Sequence, residues 1–257
     1  MKKQILLAML STILILRLNA HPGMSPYAYC GGNPVIMVDP DGRDYTIHID
    51  DKTQTITISA TYYTTDQDAA SAQKAADFWN NQSEEFIYQV TNKKDATDVK
   101  NYTIRFNMKV VKVGELDKND ERSKLNIIRP FTSFDKSANA YMVLPDEEFK
   151  DKNVNGRTRA GNVITVRNSK KESLTSPHEM GHTLGLDHNE TGLMTPSETD
   201  PYRSQEVRTD DINKIIYYPL KGDVNSENNN HAGKGTLTPN SSKIDLNNYE
   251  GTVIRKK

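Results

Sequence analysis

Apolar and polar residues alternate along much of the first half of the chain. Tyr45–Ile49 and Thr55–Tyr63 alternate in this way and are rich in β-branched residues, and the polar turn between them predicts an antiparallel hairpin. Asp68–Asn80 changes to helical spacing, with its alanines and a tryptophan on one stripe, and therefore predicts a helix. Alternation returns in Phe86–Val90 and Tyr102–Val110, which predict a short strand and a long strand.

The second half of the chain is less regular. Residues 114–137 are polar and charged, and we expect them to form a surface excursion. Ala138–Leu144 and Val163–Val166 predict the last two strands. Apolar residues at helical spacing predict a C-terminal helix that begins near Thr209 and ends at Pro219. Strands and helices in this order indicate an α+β fold rather than a regular βαβ alternation.

Composition sets the domain boundaries and excludes some functions. Residues 44–220 carry the predicted elements and form one expected domain, whereas residues 221–257 are rich in Asn, Ser, Gly and Lys and are expected to be largely disordered. Lysine and arginine number 33 against 34 acidic residues, so no charge imbalance indicates a nucleic-acid partner. Nothing in the sequence indicates an oligomeric state.

The N-terminus has the pattern of an export signal. The basic start Met1–Lys3 is followed by the apolar run Ile5–Leu16, which is too short to span a bilayer comfortably and suits a signal peptide. Ala20 offers a cleavage point, so residues 1–20 are interpreted as a signal peptide and the mature protein is expected to be secreted or periplasmic, without a membrane span. An uncleaved membrane anchor is the alternative.

The candidate chemistry lies in residues 178–188, which read HEMGHTLGLDH. His178 and His182 are four residues apart, so on a helix they project from the same face and can share one metal ion. Glu179 points beside that ion, where it can hold a water. Gly185 permits a left-handed turn that brings His188 back as a third ligand. Three neutral imidazoles with one open position are typical of catalytic zinc.

Two starting points are open for the helix that carries this motif. Ser169 and Glu172 have capping-box spacing and predict a long helix, in which Pro177 would produce a kink. Alternatively, Ser176 caps the helix and Pro177 occupies its first turn, where proline is favourable. The longer helix is the preferred interpretation, and both starting points keep the histidines in phase.

The eleven residues match the metzincin signature HExxHxxGxxH at every fixed position and therefore resemble that family of zinc metallopeptidases. Met194, within Gly192–Pro196, resembles the methionine that lies in a tight turn beneath the metal of these enzymes. The Leu-Met-x-Pro pattern is most similar to the matrixin branch. However, Thr195 stands where many matrixins have tyrosine, and Pro196 stands where astacins and serralysins have a tyrosine that can bind zinc. Asn189 matches no subfamily, so the branch stays open.

The resemblance implies a zincin-like fold, in which a twisted mixed sheet lies beside the active-site helix and a C-terminal helix follows the methionine turn. It implies one zinc ion on His178, His182 and His188, with Glu179 as the general base that hydrolyses a peptide bond in a protein or peptide. An antiparallel edge strand above the cleft would pair with the substrate, and Ala138–Leu144 is the candidate strand. Calcium is not indicated, because residues 117–121 lack the glycine of an EF-hand loop.

Residues 21–43 form a turn-rich linker that resembles the end of a Rhs repeat-associated core, through Tyr27, Tyr29, Asn33-Pro34 and Asp39-Pro40-x-Gly42. That resemblance implies a C-terminal effector. One alternative function is therefore a secreted toxin with a specific target, such as a cell-wall peptide, and with an immunity or inhibitor protein as partner. A non-catalytic zinc-binding module is the other alternative.

Cys30 is the only cysteine of the chain, so an internal disulfide is excluded. It is interpreted either as a leftover free thiol or, through a loose resemblance, as a propeptide cysteine switch.

Overall fold

A computed structural model describes residues 44–116, 119–132, 137–196, 203–222 and 232–256. The signal-like and Rhs-like segments lie outside the described residues, as does part of the sequence tested for a calcium loop. The described residues form an α+β fold built on one mixed sheet, as the sequence predicts. No helix among them combines the length and the apolar composition that crossing a lipid bilayer requires.

The described residues contain nine strands and four α-helices. The strands are β1 Tyr45–Asp50, β2 Thr55–Thr64, β3 Phe86–Asn92, β4 Val99–Lys112, β5 Ala138–Leu144, β6 Gly156–Arg159, β7 Val163–Arg167, β8 Gly235–Leu237 and β9 Tyr249–Arg255. The helices are α1 Ala69–Asn80, α2 Glu121–Thr132, α3 Thr175–Thr183 and α4 Thr209–Lys221.

The sheet has the strand order β6-β7-β5-β2-β4-β3-β9, with β1 on β2 and β8 on β1. Strand β2 is its centre, because β4 pairs with its whole length on one side while β1 and β5 share the other. Strands β5 and β7 continue parallel to β2, and β6 turns back antiparallel to β7. The predicted hairpin β1–β2, helices α1 and α4, and strands β3, β4, β5 and β7 are confirmed with small shifts of their ends.

Helix α1 packs closely on the sheet because its buried face is made of small residues. Ala72, Ala75 and Ala76 are buried together with Trp79, which supplies most of the volume of that face. Around them lie the inward side chains of β1, β2, β3 and β4, which form the main core. The opposite face of β5 packs in a second, smaller core with Ile128 of α2.

The prediction of a surface excursion at 114–137 is wrong in part, because helix α2 lies there and two of its side chains are buried. Only Lys124 and Ile128 of this helix are buried, so its apolar stripe is too narrow to be recognised in the sequence.

Lys124 is buried and links α2 to the sheet. Its Nζ lies 2.5 Å from Asp68 Oδ2 and also donates to the carbonyl oxygen of Val143, and both charged side chains are at most 5% exposed.

The prediction of a disordered tail is wrong for residues 232–256. Strand β9 pairs with β3 over seven residues, from Phe86↔Arg255 to Asn92↔Tyr249, and β8 pairs with β1. Hydrogen bonding to β3 orders this polar segment, with Val253 as its buried apolar residue. Ile244 and Tyr249 pack against the core as well. A few isolated apolar residues are therefore sufficient to anchor residues 232–256, because β9 pairs with the edge of the sheet at β3.

The choice of Ala138–Leu144 as the edge strand is also wrong. This strand, β5, lies between β2 and β7, and all seven of its residues are buried. Among the described residues, β6 forms that end of the sheet, and it is antiparallel to its neighbour. Strand β6 was missed because it has four residues, Gly-Arg-Thr-Arg, of which only Thr158 is buried.

Candidate metal centre

Helix α3 carries the histidine motif and begins at Thr175, not near Ser169, so the preference for a longer, kinked helix is wrong. Residues 168–170 form a separate 3₁₀ turn. Pro177 is the third residue of α3, where its missing N–H removes no helical hydrogen bond. The Trp79 indole donates to the Pro177 carbonyl oxygen over 2.9 Å, and Tyr62 Oη lies 2.9 Å from Thr183 Oγ1. Both ends of the helix are therefore fixed to the core.

His178 and His182 lie one turn apart on the same face of α3, and their Nε2 atoms are 3.2 Å from each other. The Nδ1 of His178 donates to the Leu193 carbonyl oxygen at 2.8 Å, and the Nδ1 of His182 donates to that of Leu186 at 2.7 Å. Because each neutral ring carries one proton and has it on Nδ1, both Nε2 atoms present lone pairs. Burial holds the pKa of His178 well below its usual value, with smaller contributions from His182 and Arg203.

Gly185 brings His188 to the other two histidines. Its φ is +84°, and the N–H groups of Gly185 and Leu186 donate to the carbonyl oxygens of His182 and Gly181 at 3.0 and 3.1 Å. This Schellman motif ends the helix and reverses the chain. The His188 ring centroid then lies 5.3 Å from that of His178 and 4.9 Å from that of His182. The same turn supplies the Leu186 carbonyl that orients His182.

These three histidines fit a metal ion. Each histidine offers one ring nitrogen such that the three nitrogens lie within 4.8 Å of one another. His178 and His182 are buried, whereas His188 is exposed. Tetrahedral bonds of 2.0–2.1 Å place two ligand nitrogens about 3.3 Å apart, close to the 3.2 Å between the two Nε2 atoms. Two lone pairs at that distance repel unless a cation lies between them. In its geometry and in its donor atoms, the arrangement could therefore hold a metal ion.

Glu179 lies next to this cluster with its carboxylate buried against β6. Thr158 Oγ1 donates to Glu179 Oε2 at 2.7 Å and lies 3.0 Å from the Glu179 carbonyl oxygen. Burial raises the pKa of Glu179 to about 7, while the Thr158 hydrogen bond and the positive charge of Arg203 act in the opposite direction. A carboxyl group with a pKa near neutrality can both accept and release a proton at physiological pH.

Met194 is buried and packs against helix α3. A Cβ on Gly181 would lie 2.5 Å from Met194 Sδ, so the thioether contacts the helix backbone between the two buried histidines. Leu193, the preceding residue, supplies the carbonyl that orients His178. Leu193 and Met194 therefore contact α3 together, one by orienting the His178 ring and the other by packing on the backbone of Gly181.

The sequence did not single out Thr158 or Arg203. Arg203 Nε donates to the Thr195 carbonyl oxygen at 2.8 Å, which holds its charge beside the methionine turn. Asn189, which matched no subfamily, donates through Nδ2 to Asp211 Oδ1 at 2.6 Å and ties the end of the motif to α4. No local pattern identifies these three, because each bonds to a residue between 8 and 22 positions away, outside its own helix or strand.

In comparisons with known proteins, no protein-family model, no curated protein and no solved structure matches the chain. The fold class and the three-histidine cluster therefore stand on the sequence and the geometry alone.

Proposed function

We propose that the protein is a zinc-dependent endopeptidase of metzincin type, with His178, His182 and His188 as zinc ligands and Glu179 as general base. The proposal is carried by one observation: two imidazole Nε2 atoms present lone pairs 3.2 Å apart, each ring being held by a carbonyl on its Nδ1. Nitrogen ligands in this number and geometry are typical of catalytic zinc, which keeps an open position for water.

The residues of the site suit peptide hydrolysis. Zinc, when bound, polarises the scissile carbonyl and lowers the pKa of water. Glu179 takes the proton of the attacking water and returns it to the leaving amine. Its 4% exposure limits competition from bulk water. A purely structural metal site places no demand on a buried carboxylate at this position, so Glu179 favours an enzyme over a binding module.

Strand β6 is the proposed docking edge for the substrate. It ends the sheet among the described residues, it is antiparallel to β7, and it contacts the Glu179 side chain. An extended peptide can add to such an edge through main-chain hydrogen bonds. This position brings a scissile bond close to Glu179, which the interior strand β5 could not do.

Glu179→Gln tests the proposal. The amide keeps the shape of the side chain and cannot accept the proton of water, so peptide hydrolysis should fall at least about a hundredfold while zinc content stays at about one ion per chain. Glu190→Gln is the control, because Glu190 is exposed and lies two residues after His188, and this variant should keep full activity.

Cleavage of a peptide library, followed by mass spectrometry, provides the rates and the bond specificity. Wild-type hydrolysis by Glu179→Gln would refute the mechanism. A wild-type protein that binds zinc tightly and cleaves no peptide would instead be a binding module. Elemental analysis that finds no transition metal after gentle purification would refute the metal assignment.

A further inference from the structure

Strand β6 touches both oxygens of the Glu179 carboxylate. Thr158 Oγ1 lies 2.7 Å from Oε2. Two residues earlier on the same face, a Cβ placed on Gly156 would lie 2.7 Å from Oε1, 2.9 Å from Glu179 Cγ and 2.6 Å from Thr175 Cγ2. The strand therefore presents a hydroxyl to one oxygen, and the other oxygen lies against Gly156, where any side chain would collide with it.

This contact makes the two carboxylate oxygens unequal. The Thr158 hydroxyl has one proton, and its closer acceptor is Oε2 rather than the Glu179 carbonyl oxygen at 3.0 Å. A glutamate side chain has several rotatable bonds, so a general base on such a stem needs an external contact to present one oxygen repeatedly in one orientation. Thr158 is itself buried and held in β6, so it can serve as that contact.

We propose that Thr158 is a positioning residue that holds Glu179 Oε2, so that Oε1 accepts the proton from water and returns it to the leaving amine. Gly156 is the second part of this arrangement, because its missing side chain leaves room for Oε1. The inference rests on the proposed function, and it adds a determinant of rate that lies outside the histidine motif.

Thr158→Val is the main test, because valine keeps the shape and removes the hydroxyl. We expect kcat to fall between about tenfold and a hundredfold, the range that corresponds to losing one hydrogen bond to a charged group, with KM and zinc content unchanged. Thr158→Ser retains the hydroxyl and should restore most of kcat. Thr64→Val is the matched control, since the buried Thr64 hydroxyl has no hydrogen-bond partner among the described residues, and it should leave kcat unchanged.

Gly156→Ala gives a second kinetic test. The new methyl group would crowd Oε1 and Thr175, so kcat should fall although the hydroxyl of Thr158 is still present. A readout without catalysis comes from the metal-free protein. Thr158→Val should lower Tm in the wild-type background, and it should lower Tm less in a Glu179→Leu background, where the hydroxyl has lost the carboxylate and keeps only the main-chain carbonyl oxygen of residue 179 as an acceptor.

The outcomes separate this inference from the proposed function. If the wild type is active and Thr158→Val has an unchanged kcat, the positioning role alone is overturned. An equal decrease of kcat in Thr158→Val and Thr158→Ser overturns it as well. Equal Tm shifts in the two backgrounds overturn the hydrogen bond itself. No hydrolysis by the zinc-loaded wild type overturns the proposed function, and the positioning role falls with it.

Discussion

Lys124→Ala should be among the most destabilising single substitutions outside the metal centre. Lys124 is 1% exposed and its Nζ lies 2.5 Å from Asp68 Oδ2, while it also donates to the Val143 carbonyl oxygen. Asp68 Oδ2 accepts one further hydrogen bond, from the Val143 N–H at 3.0 Å. Truncation therefore leaves a buried carboxylate without its cation and a buried carbonyl without its donor. Removing one partner of such a pair costs about 3–5 kcal/mol.

Chemical denaturation measures this loss directly, and thermal unfolding should show a decrease in Tm of about 6–20 °C for a domain of this size. Lys74→Ala is the control, because its ion pair with Glu172 is more than half exposed and should contribute little. Lys124→Met combined with Asp68→Asn should recover most of the stability, since no unpaired charge is left. A loss below about 1 kcal/mol in Lys124→Ala would refute the reasoning.

Four further predictions concern the site and the ends of the chain. His182→Ala should lose zinc, activity and thermal stability together, and a chelator should lower Tm in the wild type but not in this variant. Gly185→Ala should cost about 1–2 kcal/mol through its φ of +84° and should weaken zinc binding. Gly222→Ala, at φ +70° and with no described residue within 4 Å of the new Cβ, should keep zinc affinity. Deletion of residues 232–257 should lower both Tm and activity, and an unchanged Tm would show that β9 contributes nothing. N-terminal sequencing of exported protein should begin near His21, and material that still begins at Met1 would contradict a cleaved signal.

The parts of the molecule that could be predicted from sequence are those whose geometry is local. The spacing of His178 and His182 is one helical turn, and the left-handed turn at Gly185 depends on one residue. The central strands alternate because one face of each packs on the core. These features need no knowledge of distant residues, so a single sequence is sufficient to identify them.

The features that were missed depend on long-range contacts. Lys124 resembles any surface lysine until Asp68, 56 residues away, accepts its hydrogen bond. Thr158 resembles any polar residue in a loop until the carboxylate of Glu179 is placed beside it. The edge strand was predicted at the wrong place for the same reason. Whether β5 or β6 lies at the edge depends on which strands pair with each, and no local sequence pattern shows this.

The pairing of β9 with β3 also sets an order of events during folding. Strand β3 is complete at Asn92 and pairs with β4 directly afterwards, yet its other neighbour, β9, is not complete until Arg255 leaves the ribosome. The intervening chain therefore emerges while one sheet edge is still open. Closing so long a loop is slow, and an uncovered strand is prone to pair with other chains. The Gly233 N–H that donates to the His182 carbonyl oxygen at 2.7 Å arrives equally late. The surroundings of His182 and the outer edge of β3 are therefore completed only after synthesis has reached the C-terminal segment.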